Sequence, residues 1–184
     1  VDGALRGGAD TRFAAAEALV EEEKHLRGEL GPEIDSLAGG LSGLEGGDRS
    51  LPLLAEIVAS QGGARHAGTV ADVVAKQGSD RLAVESLPRL LAHMGADESA
   101  RALAGHAGKT SDRSTRRRAA HVLARLEGAE ANTTLVSLLE DDDEDVAHEA
   151  LLGLAGRSDA RAVAKARKLI RAHLLGEDRK APST

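Results

Sequence analysis

His148 and Glu149 form an adjacent histidine–carboxylate pair, a combination of side chains that can bind a metal ion. A metal centre needs several such ligands. Four related segments of the chain, described below, do not repeat the pair; their equivalent positions are Phe13-Ala14, Leu53-Leu54, Glu85-Ser86 and Arg117-Arg118. The other histidines (His25, His66, His93, His106, His121 and His173) show no metal-ligand spacing. We therefore predict no metal site and interpret His148-Glu149 as an exposed surface pair.

The chain repeats one helical pattern five times. In each copy an apolar residue or a threonine is followed at +4, and at +7 or +8, by small or aliphatic residues. These offsets lie on one face of a helix. The copies start near residues 11, 51, 83, 115 and 146, and the last two are the most regular. Repetition of one supersecondary unit at such a period is typical of a solenoid.

The fold predicted from this pattern is an all-α solenoid of about five antiparallel helix pairs. Residues 10–175 would form the repeat domain, with tails at 1–9 and 176–184. Composition supports an all-helical core, because Phe13 is the single aromatic residue and Leu, Ala and Val supply the remaining apolar side chains. Residues that favour strands are too sparse for a sheet.

Glycine and proline predict local features of the units. Asp10 is expected to cap a first helix that runs to about Leu30, with Pro32 in the first turn of a short second helix. The glycine-rich segment Gly39–Asp48 is predicted to be a mobile loop, since glycine is unfavourable in a helix by about 1 kcal/mol relative to alanine. Pro88 is expected to kink the first helix of the third unit.

The start of the units resembles the HEAT-like repeats first noted in phycobilisome lyases. The matching residues are Asp10-Thr11-Arg12, Ser114-Thr115-Arg116 and, without the arginine, Asp145-Val146-Ala147; an acidic loop, Asp141–Asp145, precedes the last of them. This resemblance covers residues 110–175 best. It implies a right-handed superhelix with first helices on the convex side and second helices lining a concave surface, and it implies a scaffold rather than a catalyst.

Several classes of enzyme are disfavoured by the residues present. The chain has no P-loop, nucleophile elbow or glycine-rich phosphate cradle. HEAT-like hydroxylases hold a di-iron centre with repeated His-Glu pairs, and HEAT-like DNA glycosylases use aromatic side chains. This chain has one such pair and neither Trp nor Tyr. We predict a non-catalytic protein without a cofactor; a HEAT-like metal enzyme or lyase is the remote alternative.

Composition also bears on partners and location. Net charge is −6, whereas nucleic-acid-binding domains usually carry a basic excess. There is no cysteine, no visible secretory signal and no apolar run of the roughly 20 residues that cross a bilayer. We expect a cytoplasmic, bacterial protein, of which this chain is a piece because it lacks an initial Met. The oligomeric state is left open.

Two charged clusters lie one repeat apart. Arg113 and Arg116–Arg118 begin one first helix, and Glu140–Asp145 begin the next. Pairing between neighbouring repeats is the favoured interpretation, and a ridge that docks a partner is the alternative. Acidic residues at a helix N-terminus are also favoured by the helix dipole, at about 0.3–1 kcal/mol each.

The last helix is predicted to carry a basic face, formed by Arg157, Arg161, Lys165 and Lys168. A polar face is required of a terminal repeat. It could also dock an acidic partner or nucleic acid. The leading hypothesis is a protein-interaction scaffold that binds a protein or peptide through exposed positions of its second helices: Asp72, Lys76, Arg101, Asn132, Thr133, Arg161, Lys165 and Lys168.

Overall fold

The computed structural model describes residues 5–23, 31–45, 47–76, 81–108, 112–157, 160 and 163–168; of residues 23, 76 and 81–87 it describes the backbone alone. Most of these residues are helical, and no strand occurs among them. The helices are α1 (Ala9–Glu23), α2 (Gly31–Leu41), α3 (Ser50–Gly62), α4 (Ala67–Lys76), α5 (Arg81–Ala107), α6 (Arg113–Leu123), α7 (Ala129–Leu138) and α8 (Glu144–Ala155). A short 3-10 helix, Ala64–His66, precedes α4, and residues 163–168 are also helical.

Aspartates begin two of the first helices. Asp112 caps α6 by accepting hydrogen bonds from the amide and hydroxyl of Thr115. Asp143 caps α8 by accepting from the amides of Asp145 and Val146. Each carboxylate satisfies amides that have no partner inside the helix. The sequence therefore specifies these two helix starts locally.

The helices pack in two layers. First helices contact first helices of the neighbouring units, in the order α1, α3, the start of α5, α6 and α8. Second helices do the same in the order α2, α4, the end of α5 and α7. The core between the layers is built from small aliphatic side chains, of which Leu54, Leu103, Leu123 and Leu135 are fully buried. Small side chains let the helices approach closely, as the absence of large aromatics requires.

The first unit differs from prediction in two places. Helix α1 begins at Ala9, so Asp10 lies in its first turn and is not the cap, and the expected extension to Leu30 lies outside the described residues. Helix α2 runs through Leu41, so Gly39 and Gly40 are helical and the predicted loop starts too early. Burial of Leu37 and Leu41 outweighs the low helix propensity of glycine.

Helix α5 is interrupted at Gly95, not at the proline. Gly95 has φ 121° and ψ 108°, a conformation open to glycine, while Pro88 lies inside the first half of the helix. The hydroxyl of the buried Ser99 donates to the carbonyl of Leu91 at 2.9 Å. That carbonyl lies in the last turn before the break, where helix carbonyls lose their partners. The interruption turns α5 into a first and a second helix joined by one residue.

Candidate partner-binding surface

The second helices present a row of polar side chains to solvent. Arg101 on α5 is 63% exposed and contacts Glu130 on α7 across the boundary between two units, with 3.4 Å between nitrogen and oxygen. Thr133 on α7 is also exposed. We call the exposed residues of α4, of the second half of α5 and of α7 the second-helix surface. Exposed ion pairs contribute little to stability, so Arg101 and Glu130 are free to exchange partners.

The other predicted residues of the second helices are less accessible. Asp72 on α4 is bound through Oδ1 to Nε2 of His106 at 2.5 Å. Asn132 is half-buried and accepts a hydrogen bond from Arg157. The side chain of Lys76 and the whole of Arg161 lie outside the described residues. Of the predicted set, the structure therefore brings Arg101 and Thr133 to the same exposed surface.

The basic face predicted for the last helix lies partly outside the described residues. Lys165 contacts Glu140 at 3.1 Å, while Lys168 and Arg167 are exposed. Arg157 was expected on this face, and that expectation is wrong. It follows the end of α8, and its side chain turns into the protein. Arg157 has the same spacing as the basic residues that follow it, but it belongs to the turn after α8 and not to the last helix.

Arg157 connects three helices. Its guanidinium donates to the carbonyls of Gly153 on α8 (2.8 Å) and Leu123 on α6 (2.7 Å), and to Oδ1 of Asn132 on α7. Burial lowers the pKa of Arg157, and the nearby carboxylate of Glu127 offsets only part of this shift. Two of the acceptors are carbonyls at helix C-termini, where a positive charge is favoured. One side chain thus fixes the fourth unit to the fifth.

The predicted pairing between the charged clusters is confirmed. Arg116 is buried between Asp141 and Asp142, at 3.1 and 2.9 Å. Arg113 pairs with Asp143 and Asp145, and Asp145 also contacts Arg117. We call these contacts the α6–α8 ladder. A hydrogen bond to Asp141 and the charges of Asp141–Asp143 raise the pKa of the Arg116 guanidinium, against the effect of desolvation.

The first unit contains a second copy of this arginine–aspartate contact, which the sequence analysis missed. Arg12 donates through Nε and Nη2 to Asp48 Oδ2, at 2.9 and 2.5 Å, and Asp48 accepts hydrogen bonds from the amide and hydroxyl of Ser50. Arg12 and Arg116 each follow a threonine at the start of a first helix. That shared triplet is the signal that could have found the contact.

Asp141, in the ladder, makes stability depend on pH. Burial raises the pKa of Asp141, but hydrogen bonds from the amide of Asp143 and from Arg116 outweigh burial and lower it. A pKa lower in the folded than in the unfolded state, where it is about 4, contributes stability above that value. This contribution is lost as the pH falls through the folded-state pKa.

Between about pH 6 and about pH 3, we expect the free energy of unfolding to fall less for Asp141→Asn than for the wild type. Urea denaturation followed by circular dichroism at both pH values measures it. Glu17→Gln is the control, because it removes an exposed carboxylate of α1 that is not part of the ladder, and it should behave as the wild type does. If the unfolding free energy of Asp141→Asn depended on pH as that of the wild type does, the lowered pKa of Asp141 in the folded state would be contradicted.

Histidines pair with carboxylates between helices. His66 contacts Asp35 at 3.0 Å, and His121 contacts Glu149 at 3.1 Å. Glu149 is therefore not an exposed surface residue, as its pairing with His148 had suggested, while His148 is exposed. Over the described part of the chain, no group of three or more His, Asp or Glu side chains is arranged to hold a metal ion.

The last two units match a known family. Residues 106–179 match the family model of HEAT repeats. Over these residues, the chain is similar to HEAT repeats. Together with the helix pairs in two layers, this match makes the fold an α-solenoid, as predicted. The family model concerns HEAT repeats in general, so the phycobilisome-lyase type stays a prediction.

Other comparisons add no relative of known role. No curated protein and no solved structure gives a significant match to the chain. Within the described ranges, no helix has the length and apolar content that spanning a membrane would need. The function of these HEAT repeats must therefore be argued from their own surfaces.

Proposed function

We propose that this chain is a non-catalytic scaffold that binds a protein or peptide through the second-helix surface. The observation that carries the proposal is the contact of the exposed Arg101 with Glu130 across the boundary between the third and fourth units, beside the exposed Thr133. HEAT repeats commonly act as protein-interaction scaffolds, which supports this choice. The other residues predicted from the sequence are proposed as further contacts of the partner outside this surface: Asp72, Lys76, Asn132, Arg161, Lys165 and Lys168.

A partner complementary to this surface would carry both acidic and basic groups. Arg101 offers five donors in a planar fork suited to a carboxylate, and Glu130 lies beside it. Arg is also enriched among residues that dominate binding energy at interfaces. The proposed contact is therefore an extended segment with an acidic side chain opposite Arg101.

A nucleic-acid partner is the less favoured alternative. Arg157 donates to protein acceptors and Lys165 is paired with Glu140, which reduces the positive charge available on the last unit. We also propose that the protein is cytoplasmic and bacterial. This proposal rests on composition, since neither the fold nor the family match tests it.

The test is affinity capture from the native extract with two matched variants of α5. Arg101→Glu reverses a charge on the second half of α5, and Arg89→Glu makes the same reversal at an exposed position on its first half. We expect Arg101→Glu to weaken capture of the partner by about tenfold or more and Arg89→Glu to leave it unchanged. Equal capture by all three proteins would overturn the proposed surface.

A further inference from the structure

Helix α8 exposes an apolar edge. Leu152 is 56% exposed and is the exposed large hydrophobic residue among those described. His148 and Ala155, at −4 and +3 from it, lie on the same side of the helix and are exposed, and Leu151 is half-buried. We call these four residues the α8 edge. An exposed leucine beside an exposed alanine on a repeat helix forms an apolar surface that a partner can cover.

The corresponding edge of α6 shows what such a surface binds. Thr115 and Val146 occupy the same place in consecutive units, so a shift of 31 residues places His121 on Leu152 and Ala124 on Ala155. In α6 both residues face α8: His121 contacts Glu149, and Ala124 packs on Gly153 so closely that an added Cβ would lie 2.6 Å away. The α8 edge is therefore the surface on which another first helix would stack.

The apolar residues of the α8 edge are more exposed than the equivalent residues of α6. Ala120 is fully buried, whereas its equivalent Leu151 is only half-buried. Ala124 is half-buried, whereas its equivalent Ala155 is exposed. The more apolar of the two edges is thus the more exposed, so the α8 edge has apolar surface left to bury against another helix.

Helix α1 has the complementary side. The same alignment of units places Ala14 on Glu149 and Ala18 on Gly153, and both alanines are exposed. If α1 stacked on α8 as α8 stacks on α6, the polar pair His121–Glu149 would be replaced by Leu152–Ala14. The Ala124–Gly153 contact would become Ala155–Ala18. Both replacements bring apolar groups together, which is favourable in water. Because Ala18 carries the Cβ that Gly153 lacks, the two helices must lie slightly further apart than α6 and α8 do.

Charge favours the same pairing. Helix α1 contains five acidic residues and one base, and Glu33 and Asp35 on α2 are exposed. Arg167 and Lys168 on the fifth unit are exposed. Stacking of first helices also places second helices side by side, as α5 and α7 lie here. The basic fifth unit of one molecule would then face the acidic first unit of another.

We infer that a second copy of this chain stacks head-to-tail, with its α1 edge (Ala14 and Ala18) on the α8 edge of the first copy. The interface follows the register of α6 and α8 at a slightly larger helix separation, and it extends the solenoid from one molecule to the next. Because the two surfaces differ, the contact is heterologous and propagates into short linear oligomers. One helix edge is small, so association on the order of 10 μM to 1 mM is expected.

Sedimentation velocity of the full 184-residue chain at increasing concentration, up to about 1 mM, tests this inference. The wild type should gain mass with concentration. Leu152→Glu and Ala14→Glu should each weaken association by about tenfold or more, because each buries a charge in the contact. Both positions are exposed, and circular dichroism should show that both variants remain folded.

Mixing the two variants gives the decisive result. Leu152→Glu keeps an intact α1 edge and Ala14→Glu keeps an intact α8 edge, so an equimolar mixture should form a one-to-one dimer that grows no further. Three outcomes would overturn the inference: a wild type that stays monomeric, an Ala14→Glu variant that associates as the wild type does, or a mixture that stays monomeric while the wild type associates.

One contact of the proposed interface is repulsive, so a substitution there should strengthen self-association. The equivalents of Arg113 and Asp145, which pair within the chain, are Glu144 and Asp10 in the head-to-tail contact, and these would repel each other. Asp10→Lys should therefore tighten self-association by about two- to fivefold at low salt. No tightening would contradict the proposed register of the contact.

Discussion

Replacing Arg157 with alanine is expected to lower the free energy of unfolding by about 2–3 kcal/mol. The guanidinium supplies hydrogen bonds to the carbonyls of Leu123 and Gly153 and to Asn132, and hydrogen bonds to a charged group are worth about 1.5–3 kcal/mol each when a partner is left buried. Water can reach part of this site, so the total stays below the sum. Urea denaturation measured by circular dichroism is suitable, since the chain contains no Trp or Tyr for fluorescence.

Two further variants separate geometry from charge. Arg157→Lys keeps the charge but cannot reach three acceptors at once, so it should recover less than half of the loss. Arg167→Ala removes an exposed arginine of the same region and should change the unfolding free energy by less than about 0.5 kcal/mol. Equal effects of Arg157→Ala and Arg167→Ala would show that the three-helix contact does not stabilise the protein.

Replacing Gly153 with alanine is expected to destabilise the protein by about 1–3 kcal/mol, although alanine is the better helix former. A Cβ at this position would lie 2.6 Å from Cβ and 2.7 Å from Cα of Ala124, and 3.2 Å from Cδ1 of Leu135. The Cα atom belongs to the backbone of α6, so α6 and α8 must move apart. Overpacking of this kind outweighs the roughly 1 kcal/mol gained in helix propensity.

Gly105→Ala is the matched control for this prediction. Gly105 lies within α5, is exposed, and has no atom within 4 Å of its would-be Cβ. The substitution should stabilise the protein by about 0.5–1 kcal/mol through helix propensity alone. Opposite signs for the two glycines are the expected result of urea denaturation. Stabilisation by Gly153→Ala as well would show that α6 and α8 are not in close contact there.

The pairing of the charged clusters could be predicted because it depends on spacing alone. Arg116 and Asp141 lie at the same end of neighbouring first helices, and helices stacked in register must bring those ends together. The same reasoning applies to the unit starts and to the all-helical class. The division of the whole chain into five units remains a prediction, since the family match covers residues 106–179.

Local propensity failed where packing opposed it. Gly39 and Gly40 are helical because α2 buries Leu37 and Leu41 against its neighbours, a gain that a count of glycines does not include. The break in α5 falls at Gly95 because a positive φ is accessible to glycine, whereas a proline can remain inside a helix. Ser99 then satisfies the carbonyl of Leu91.

By itself, the sequence determined the helical repeat, the position of the charged clusters and the absence of aromatic core residues, because all three are properties of residue type and spacing. The tertiary structure alone decided which polar residues are free to bind. Arg157 and Asn132 look exposed in the helical pattern, yet they bind each other. The pattern of apolar positions does not include Leu152, which the structure shows to be exposed. Side-chain reach across a turn, and the presence or absence of a neighbouring helix, are set by packing in three dimensions.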